Sequence, residues 1–327
     1  MNATLATIDI RCLFDPQASA QAKAACAQAL HHALRDTGFA VLRGSGVPAP
    51  TLARMRQAVK AVFDAPRGKY SDYRVQKTNY RGYVPLGYFT PNKGGARADQ
   101  YEAWKLHGEF SADDPVCAQS ALYGPNHWPP VNFDVRGAVL DYWAEMTRVN
   151  NAVLVALCQA LGLDSGVVLG MLDKPLTNMT LLNYPPGTPQ DDSWGIHPHK
   201  DFNFLTLLAH DPVGGLEVRT ADGQWIEAVC EPQDYVLNVG DMLELLTGGH
   251  LVSTPHRVTN RSARQRQSFP YFSVPRHDVV VAPLLAPVPG FERAPLQSGA
   301  ASHDIWYSNW LDVALSDTPI DLGNYGD

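Results

Sequence analysis

From Asn178 to Val280 the chain is cut into short strand-like runs by turn residues at Pro185-Pro186-Gly187, Gly214-Gly215, Asp222-Gly223, Gly240-Asp241 and Gly248-Gly249. Closely spaced breaks of this kind predict an antiparallel all-β core, a sandwich or barrel. Glu217-Val218-Arg219 and Gln224-Trp225-Ile226 flank Asp222-Gly223, the strongest hairpin signal in the chain. Ahead of this region the period is helical. Gln17 to Arg35 carries apolar or small residues at helical spacing, and Phe39-Ala40-Val41-Leu42 follows the stop at Gly38 as a buried strand. A second helix is expected from about Pro50 to Phe63, and a third from Asp134 to Leu163, with Leu140, Trp143, Val149, Val153, Ala156, Leu157 and Leu161 as its apolar face and Gly162 at its end. Residues 70 to 130, rich in Tyr, Gly, Pro and Asn, read as loops and short pieces. The expected fold is mainly β with flanking helices around a double-stranded β-helix (jelly roll), an architecture that carries metal sites between its sheets. It forms one compact unit, with residues 1–130 as a helical and loop region packed on a core of residues 131–327 that ends in a C-terminal lid.

Composition narrows the partners. The 327 residues carry 26 Lys and Arg against 33 Asp and Glu, a net charge of −7 with no basic stripe, so neither nucleic acid nor an anionic membrane is expected to bind. The five cysteines, Cys12, Cys26, Cys117, Cys158 and Cys230, are odd in number and never in a CxxC pair. That argues against a disulfide framework or a thiolate zinc site and fits a reducing cytoplasm. No basic region followed by an apolar run opens the chain, and no stretch has the ~18 apolar residues of a membrane span, so a soluble, unprocessed protein is expected.

The chemistry concentrates on three residues. Phe202 to Leu208 reads as a buried strand, and directly before it stands His199-Lys200-Asp201. If the extended backbone reaches back that far, His199 and Asp201 leave the same face and can meet one ion. His256, in Thr254-Pro255-His256-Arg257-Val258, is the candidate third ligand from a distant segment. Two imidazoles and one carboxylate leave about half of an octahedral sphere open, as an oxygen-activating iron(II) requires, whereas a closed structural zinc site needs a fourth protein ligand. Ten residues beyond His256, Arg266-Gln267-Ser268 repeats the i, i+2 spacing on a strand-like run. A guanidinium and a hydroxyl on one strand face can clamp a carboxylate. His197-x-His199 lacks a downstream acidic partner for a cupin-type site, so His197 is read as a loop residue or a support for a ligand. Asp191-Asp192 reads as a solvated loop, and no phosphate loop or nucleophile elbow is present.

Together these residues resemble the iron(II)/2-oxoglutarate dioxygenases of the isopenicillin N synthase-like family, which share a His-x-Asp, a distal His and an Arg-x-Ser. Tyr184-Pro185-Pro186 is similar to that family's Tyr-Pro-Pro segment, Asp36 to Pro48 to its N-terminal helical region, and Asn238 to Leu243 before Ser253 to Val258 to the strand pair leading to its distal histidine. The resemblance covers nearly the whole chain. It implies iron held by His199, Asp201 and His256, and 2-oxoglutarate chelating the metal with its far carboxylate on Arg266, Ser268 and the Tyr184 hydroxyl. It further implies dioxygen as co-substrate, and release of succinate and CO2 coupled to hydroxylation, desaturation or ring closure of a small or medium organic substrate. The sequence departs from the pattern at Lys200, where a small or uncharged residue is usual and strand alternation would turn the side chain away from the metal, and at Asn183, one position later than in many relatives. Pro255 suggests an edge or a bulge beside the distal histidine.

Two alternatives stay open: a family oxidase that needs no 2-oxoglutarate and binds its substrate's own carboxylate on Arg266 and Ser268, and a non-catalytic jelly-roll binding protein. Aromatic residues outside the β core suggest a cover that screens the site from water. Tyr101, Trp104 and Trp306 are taken as part of it, with Lys105 or Arg276 available to pair with an acidic group on the substrate.

Overall fold

The computed structural model describes residues 4–78, 80–89, 98–188 and 194–310. Asp191-Asp192 and the chain from Leu311 onward, the end of the expected lid, lie outside them. The described strands are β1 (Thr7–Asp9), β2 (Phe39–Arg43), β3 (Gly82–Val84), β4 (Glu102–His107), β5 (Asn178–Tyr184), β6 (Ile196–His199), β7 (Leu205–Ala209), β8 (Leu216–Arg219), β9 (Trp225–Glu227), β10 (Tyr235–Val239), β11 (His256–Val258), β12 (Arg266–Ser268) and β13 (Tyr271–Ser273), followed by the short pair β14 (Val280–Val281) and β15 (Leu296–Gln297). The helices are α1 (Ala20–Asp36), α2 (Ala49–Asp64), α3 (Pro115–Gln119), α4 (Val135–Leu161), α5 (Ser165–Gly170), α6 (Asp241–Leu246) and α7 (Ser298–Ser308). None of them is long and apolar enough to cross a membrane.

Local chemistry sets the helix ends. The Ser19 hydroxyl accepts from the Ala22 amide at the start of α1, and the Asp134 carboxylate accepts from the Gly137 amide at the start of α4. α4 stops where Gly162 turns left-handed at φ 69°, a conformation that costs glycine little. Its buried stripe runs through Tyr142, Met146, Val149 and Val153, with Leu140 left partly exposed.

Two sheets face each other. The larger, nine-stranded among the described residues, runs β1-β2-β10-β7-β13-β5-β4-β3, with β12 also pairing β5; the smaller runs β6-β11-β8-β9. Strand alternation divides the core. Leu205 and Leu207 of β7, Tyr235 and Leu237 of β10, and Trp104 and Leu106 of β4 pack toward α1, α2 and α4. Phe39 and Val41 of β2, Leu182 and Tyr184 of β5, Ala103 of β4 and Tyr101 just before it face inward, where they meet Leu216, Val218 and Val258 of the smaller sheet. The turn spacing thus leads to the jelly roll it predicts, and β8 and β9 form the hairpin around Asp222-Gly223. Strands β1 to β4 come from the first 130 residues but belong to the same sheet as β5, β7 and β10.

Two local expectations are corrected. The run from His199 to Leu208 is not one strand. β6 ends at His199 in the smaller sheet, β7 begins at Leu205 in the larger, and residues 200–204 carry the chain between them. Of the expected strand pair, Asn238 to Leu243 and Ser253 to Val258, Asn238 and Val239 end β10 and His256 to Val258 form β11, but at Gly240 the chain gives way to α6, whose six residues are all buried. At Pro255 the expected irregularity appears as a register shift between β11 and β6, although β11 lies inside its sheet rather than at an edge.

Candidate metal centre and active-site cavity

Strand register brings the two histidines together. His199 of β6 and His256 of β11 are directly paired, and their ring centroids lie 4.3 Å apart. Asp201, two residues beyond β6, sets Oδ1 3.8 Å from His199 Nε2 and 3.7 Å from His256 Nε2. Candidate donor atoms of the three residues all lie within 4.8 Å of one another, the one such His/Cys/Asp/Glu group found among the described residues.

Each donor is aimed by its neighbours. His199 Nδ1 bonds the His197 carbonyl at 2.7 Å and His256 Nδ1 the Thr254 carbonyl at 3.2 Å, which places the proton on Nδ1 and leaves the Nε2 lone pairs free. Phe39 packs edge-on against His256, 5.3 Å between centroids. Asp201 Oδ2 accepts from Thr206 Oγ1 at 2.6 Å and Asn238 Nδ2 at 2.7 Å, so Oδ1 remains for an ion. Thr206 and Asn238 sit opposite each other on β7 and β10. Burial pushes the His199 imidazole down to about 4, with His256 acting the same way and Asp201 against it, so the ring is a neutral donor near pH 7. Burial alone would raise the Asp201 carboxyl, but the two histidines and the Asn238 and Thr206 donors outweigh it and hold it below the ordinary value. Two imidazoles and one carboxylate oxygen with an open side are a donor set that fits iron(II).

Arg266 and Ser268 project from one face of β12, both buried, with Gln267 on the other. Arg266 Nε donates to the Gly214 carbonyl at 2.7 Å, the guanidinium lies 4.8 Å from the Tyr184 ring centroid, and its NH1 approaches Ser268 Oγ at 3.5 Å. Among the described residues no carboxylate pairs with this 3% exposed cation. A buried guanidinium without a counter-ion fits an incoming carboxylate. Burial raises the Tyr184 phenol, with Arg266 and Ser268 opposing it, so the hydroxyl stays protonated as a donor.

A cavity of about 190 Å³ opens beside His199 and Asp201. Tyr101, Lys105 and Trp306 line it, together with Tyr80, Thr180 and Asp99. α7 presents Ser302, Ile305 and Trp306 to it and its C-cap Asn309 follows on the same face, at i, i+3, i+4, i+7 spacing. Two expected pocket residues are elsewhere. Trp104 faces the helical side of β4, fully buried against Tyr70 with its indole N–H donating to the His127 carbonyl at 2.7 Å. Arg276 is occupied by Asp278 at 2.6 Å and Asp173 at 3.8 Å and does not line the cavity. Trp104→Ala is therefore expected to cost about 3–5 kcal/mol of stability, as a truncated core aromatic does. Urea unfolding measures that loss, and the folded fraction should keep the wild-type ratio of product to succinate.

Lys200 is turned to Asp241 and Glu244, Nζ 4.0 Å from each, while Arg293 reaches Glu244 at 2.9 Å; the Lys200 side chain still borders the cavity. His197, read as a loop or supporting residue, sits in β6 and bonds Asp99 Oδ1 through Nδ1 at 2.7 Å. Asn183 faces the helical side, donating to Glu102 at 2.8 Å. Thr206, Asn238 and Asp99 were not singled out from the sequence. Asn238 carried a signal, as a polar residue inside the apolar run Tyr235-Val236-Leu237-Asn238-Val239.

Comparison with known proteins agrees with this geometry. Residues 176–275 match the 2OG-Fe(II) oxygenase superfamily, and residues 5–131 match the N-terminal region of the non-haem dioxygenases described from morphine synthesis. A 2-oxoglutarate-dependent dioxygenase of Penicillium crustosum is 32% identical over 275 residues, covering 81% of this chain and 83% of that one. The crystal structure of a 2OG-Fe(II) oxygenase family protein from Caulobacter crescentus superposes with a TM-score of 0.77 at 28% identity, over 92% of this chain and 97% of that one. Neurospora crassa T7H, solved with alpha-KG and thymine, shares the fold with a TM-score of 0.79 at 21% identity, over 94% and 97%. The chain belongs to the 2OG-Fe(II) oxygenase superfamily, among the dioxygenases of the isopenicillin N synthase-like family. It is an oxidoreductase whose cofactor is Fe(II) and whose co-substrates are 2-oxoglutarate and O2.

Proposed function

We propose that His199, Asp201 and His256 hold the catalytic iron(II), that Arg266, Ser268 and Tyr184 receive the far carboxylate of 2-oxoglutarate, and that a small or medium organic substrate is hydroxylated, desaturated or cyclised in the adjoining cavity. The observation that carries this reading is the aim of the three donors: His197, Thr254, Thr206 and Asn238 fix both Nε2 atoms and Asp201 Oδ1 toward one point. Iron(II), when bound, supplies oxygen activation coupled to decarboxylation of 2-oxoglutarate to succinate and CO2. The protein's own part is positional. The Nδ1 hydrogen bonds keep both imidazoles in the binding tautomer, Asn238 and Thr206 keep Asp201 from turning, and the inward aromatics exclude water.

Anaerobic addition of iron(II) and then 2-oxoglutarate should give a weak visible charge-transfer band, and aerobic turnover should release succinate. Iron uptake with no band and no succinate would instead favour the oxidase that binds its substrate's carboxylate on Arg266. The free thiols of all five cysteines support a cytoplasmic setting, and the net charge of −7 supports small molecules rather than nucleic acid as partners. Strand pairing of β2 with β10 and of β4 with β5 supports reading residues 1–130 as packed on the 131–327 core in one unit.

Tyr101 and Trp306 are assigned to the cover of the cavity. Trp306 stacks on Tyr80 at 5.4 Å and edge-on against His107 at 4.6 Å, so its removal opens the α7 side. Trp306→Ala is expected to lower product formed per succinate released while iron binding persists. An unchanged ratio would make Trp306 structural cover only.

A further inference from the structure

The wall of the cavity built by β4 and β5 carries a cation with no counter-ion among the described residues. Lys105 points inward with Tyr101 and Ala103, directly opposite Thr180 in the strand register, so the two side chains leave the same face. Among the described residues no carboxylate or hydrogen-bond acceptor pairs with its ammonium; the nearest recorded contact is the Tyr80 ring, 5.1 Å to the centroid. Burial pushes Lys105 down to about 8. Two further polar groups on the same cavity lack partners: Thr180 Oγ1 and, from α7, Ser302 Oγ. Two hydroxyls buried without a partner beside a half-buried cation are a costly arrangement, unless a ligand brings the acceptors.

The other charges on this cavity are engaged. Lys200 is shared by Asp241 and Glu244, and Asp99 bonds His197 through both its backbone amide and its ring. Lys105 lines this cavity from β4, whereas Arg266, the group assigned to 2-oxoglutarate, projects from β12 and does not line it. One unmatched positive charge flanked by two hydroxyl donors suits one carboxylate, whose two oxygens accept several hydrogen bonds. Ile196, Phe202 and Ile305 add apolar wall to the same cavity that His199 and Asp201 line.

We propose that the oxidised substrate is an organic monocarboxylate whose carboxylate is received by Lys105 with Thr180 and Ser302, and whose carbon skeleton lies along the apolar wall toward His199 and Asp201. This rests on the reading that chemistry occurs at His199, Asp201 and His256. The test uses protein loaded with Mn(II), which supports no turnover, and saturating 2-oxoglutarate. 3-Phenylpropionate and octanoate are titrated calorimetrically beside their neutral amides. At least one acid should bind tenfold or more tightly than its amide. Lys105→Met, close in volume, should remove the difference and leave 2-oxoglutarate affinity unchanged, and Lys105→Arg should restore the preference. Equal binding of acid and amide, or a preference that survives Lys105→Met, overturns the proposal. So does a weaker hold on 2-oxoglutarate in Lys105→Met, which would give the lysine to the co-substrate. A wild type that takes up neither Mn(II) nor 2-oxoglutarate sinks the reading of the metal site itself, whereas normal loading without acid preference sinks only the role of Lys105.

Discussion

Single replacement of His199, Asp201 or His256 by alanine is expected to abolish turnover, with iron binding falling below detection at concentrations that saturate the wild type. Three donors are the minimum on which an open-sided site of this kind can hold its ion, so two leave it to exchange with water. The fold should survive, because His199 and Asp201 border a cavity and the strands that carry His199 and His256 are held by their own ladders. Metal analysis after gel filtration, with circular dichroism as the folding control, reads both halves. Full activity of any one variant at limiting iron would remove that residue from the ligand set.

The second large effect is expected at Arg266. Its guanidinium is buried, fixed by the Gly214 carbonyl and the Tyr184 ring, and unmatched by any carboxylate among the described residues. Truncating one partner of a desolvated charge pair costs ~2–5 kcal/mol, and tenfold in affinity is about 1.4 kcal/mol. Arg266→Ala should therefore raise the 2-oxoglutarate concentration needed for half-maximal succinate release by tenfold or more, and leave the substrate requirement much less changed. Equal weakening of both would point to an enzyme that uses Arg266 for its substrate.

The parts of the site legible in the sequence were those set by short spacing. Arg266 and Ser268 share a face because strand geometry repeats every two residues, and the reading from that rule holds in β12. The same rule applied to His199 and Asp201 led to a correct neighbourhood by an incomplete route, since the chain leaves β6 at His199 and the 3.8 Å approach depends on the crossing at residues 200–204. α6 was misread because Met242, Leu243, Leu245 and Leu246 are buried on every side, and a short apolar run has no period that separates helix from strand. Trp104 and Lys105 show what a missing strand assignment costs. Adjacent residues on β4 face opposite layers, one into the helical side and one into the cavity, and without the strand both were assigned to the pocket. Arg276 was open to misplacement for a different reason: its partners Asp173 and Asp278 are chosen by tertiary packing.

The three proposed metal ligands are divided between the two layers of the sandwich. His199 and His256 belong to β6 and β11 of the smaller sheet, whereas Asp201 is tied through Thr206 and Asn238 to β7 and β10 of the larger one. An ion held by all three is a rivet between the sheets, and its binding free energy adds to whatever resists their separation. Chelation then acts mechanically as well as chemically: the apo protein keeps each sheet's ladder but loses the tie across the gap. Amide exchange should quicken first in β6, an edge strand held by its short, irregular pairing with β11, so occupancy of the centre sets how firmly that edge stays shut.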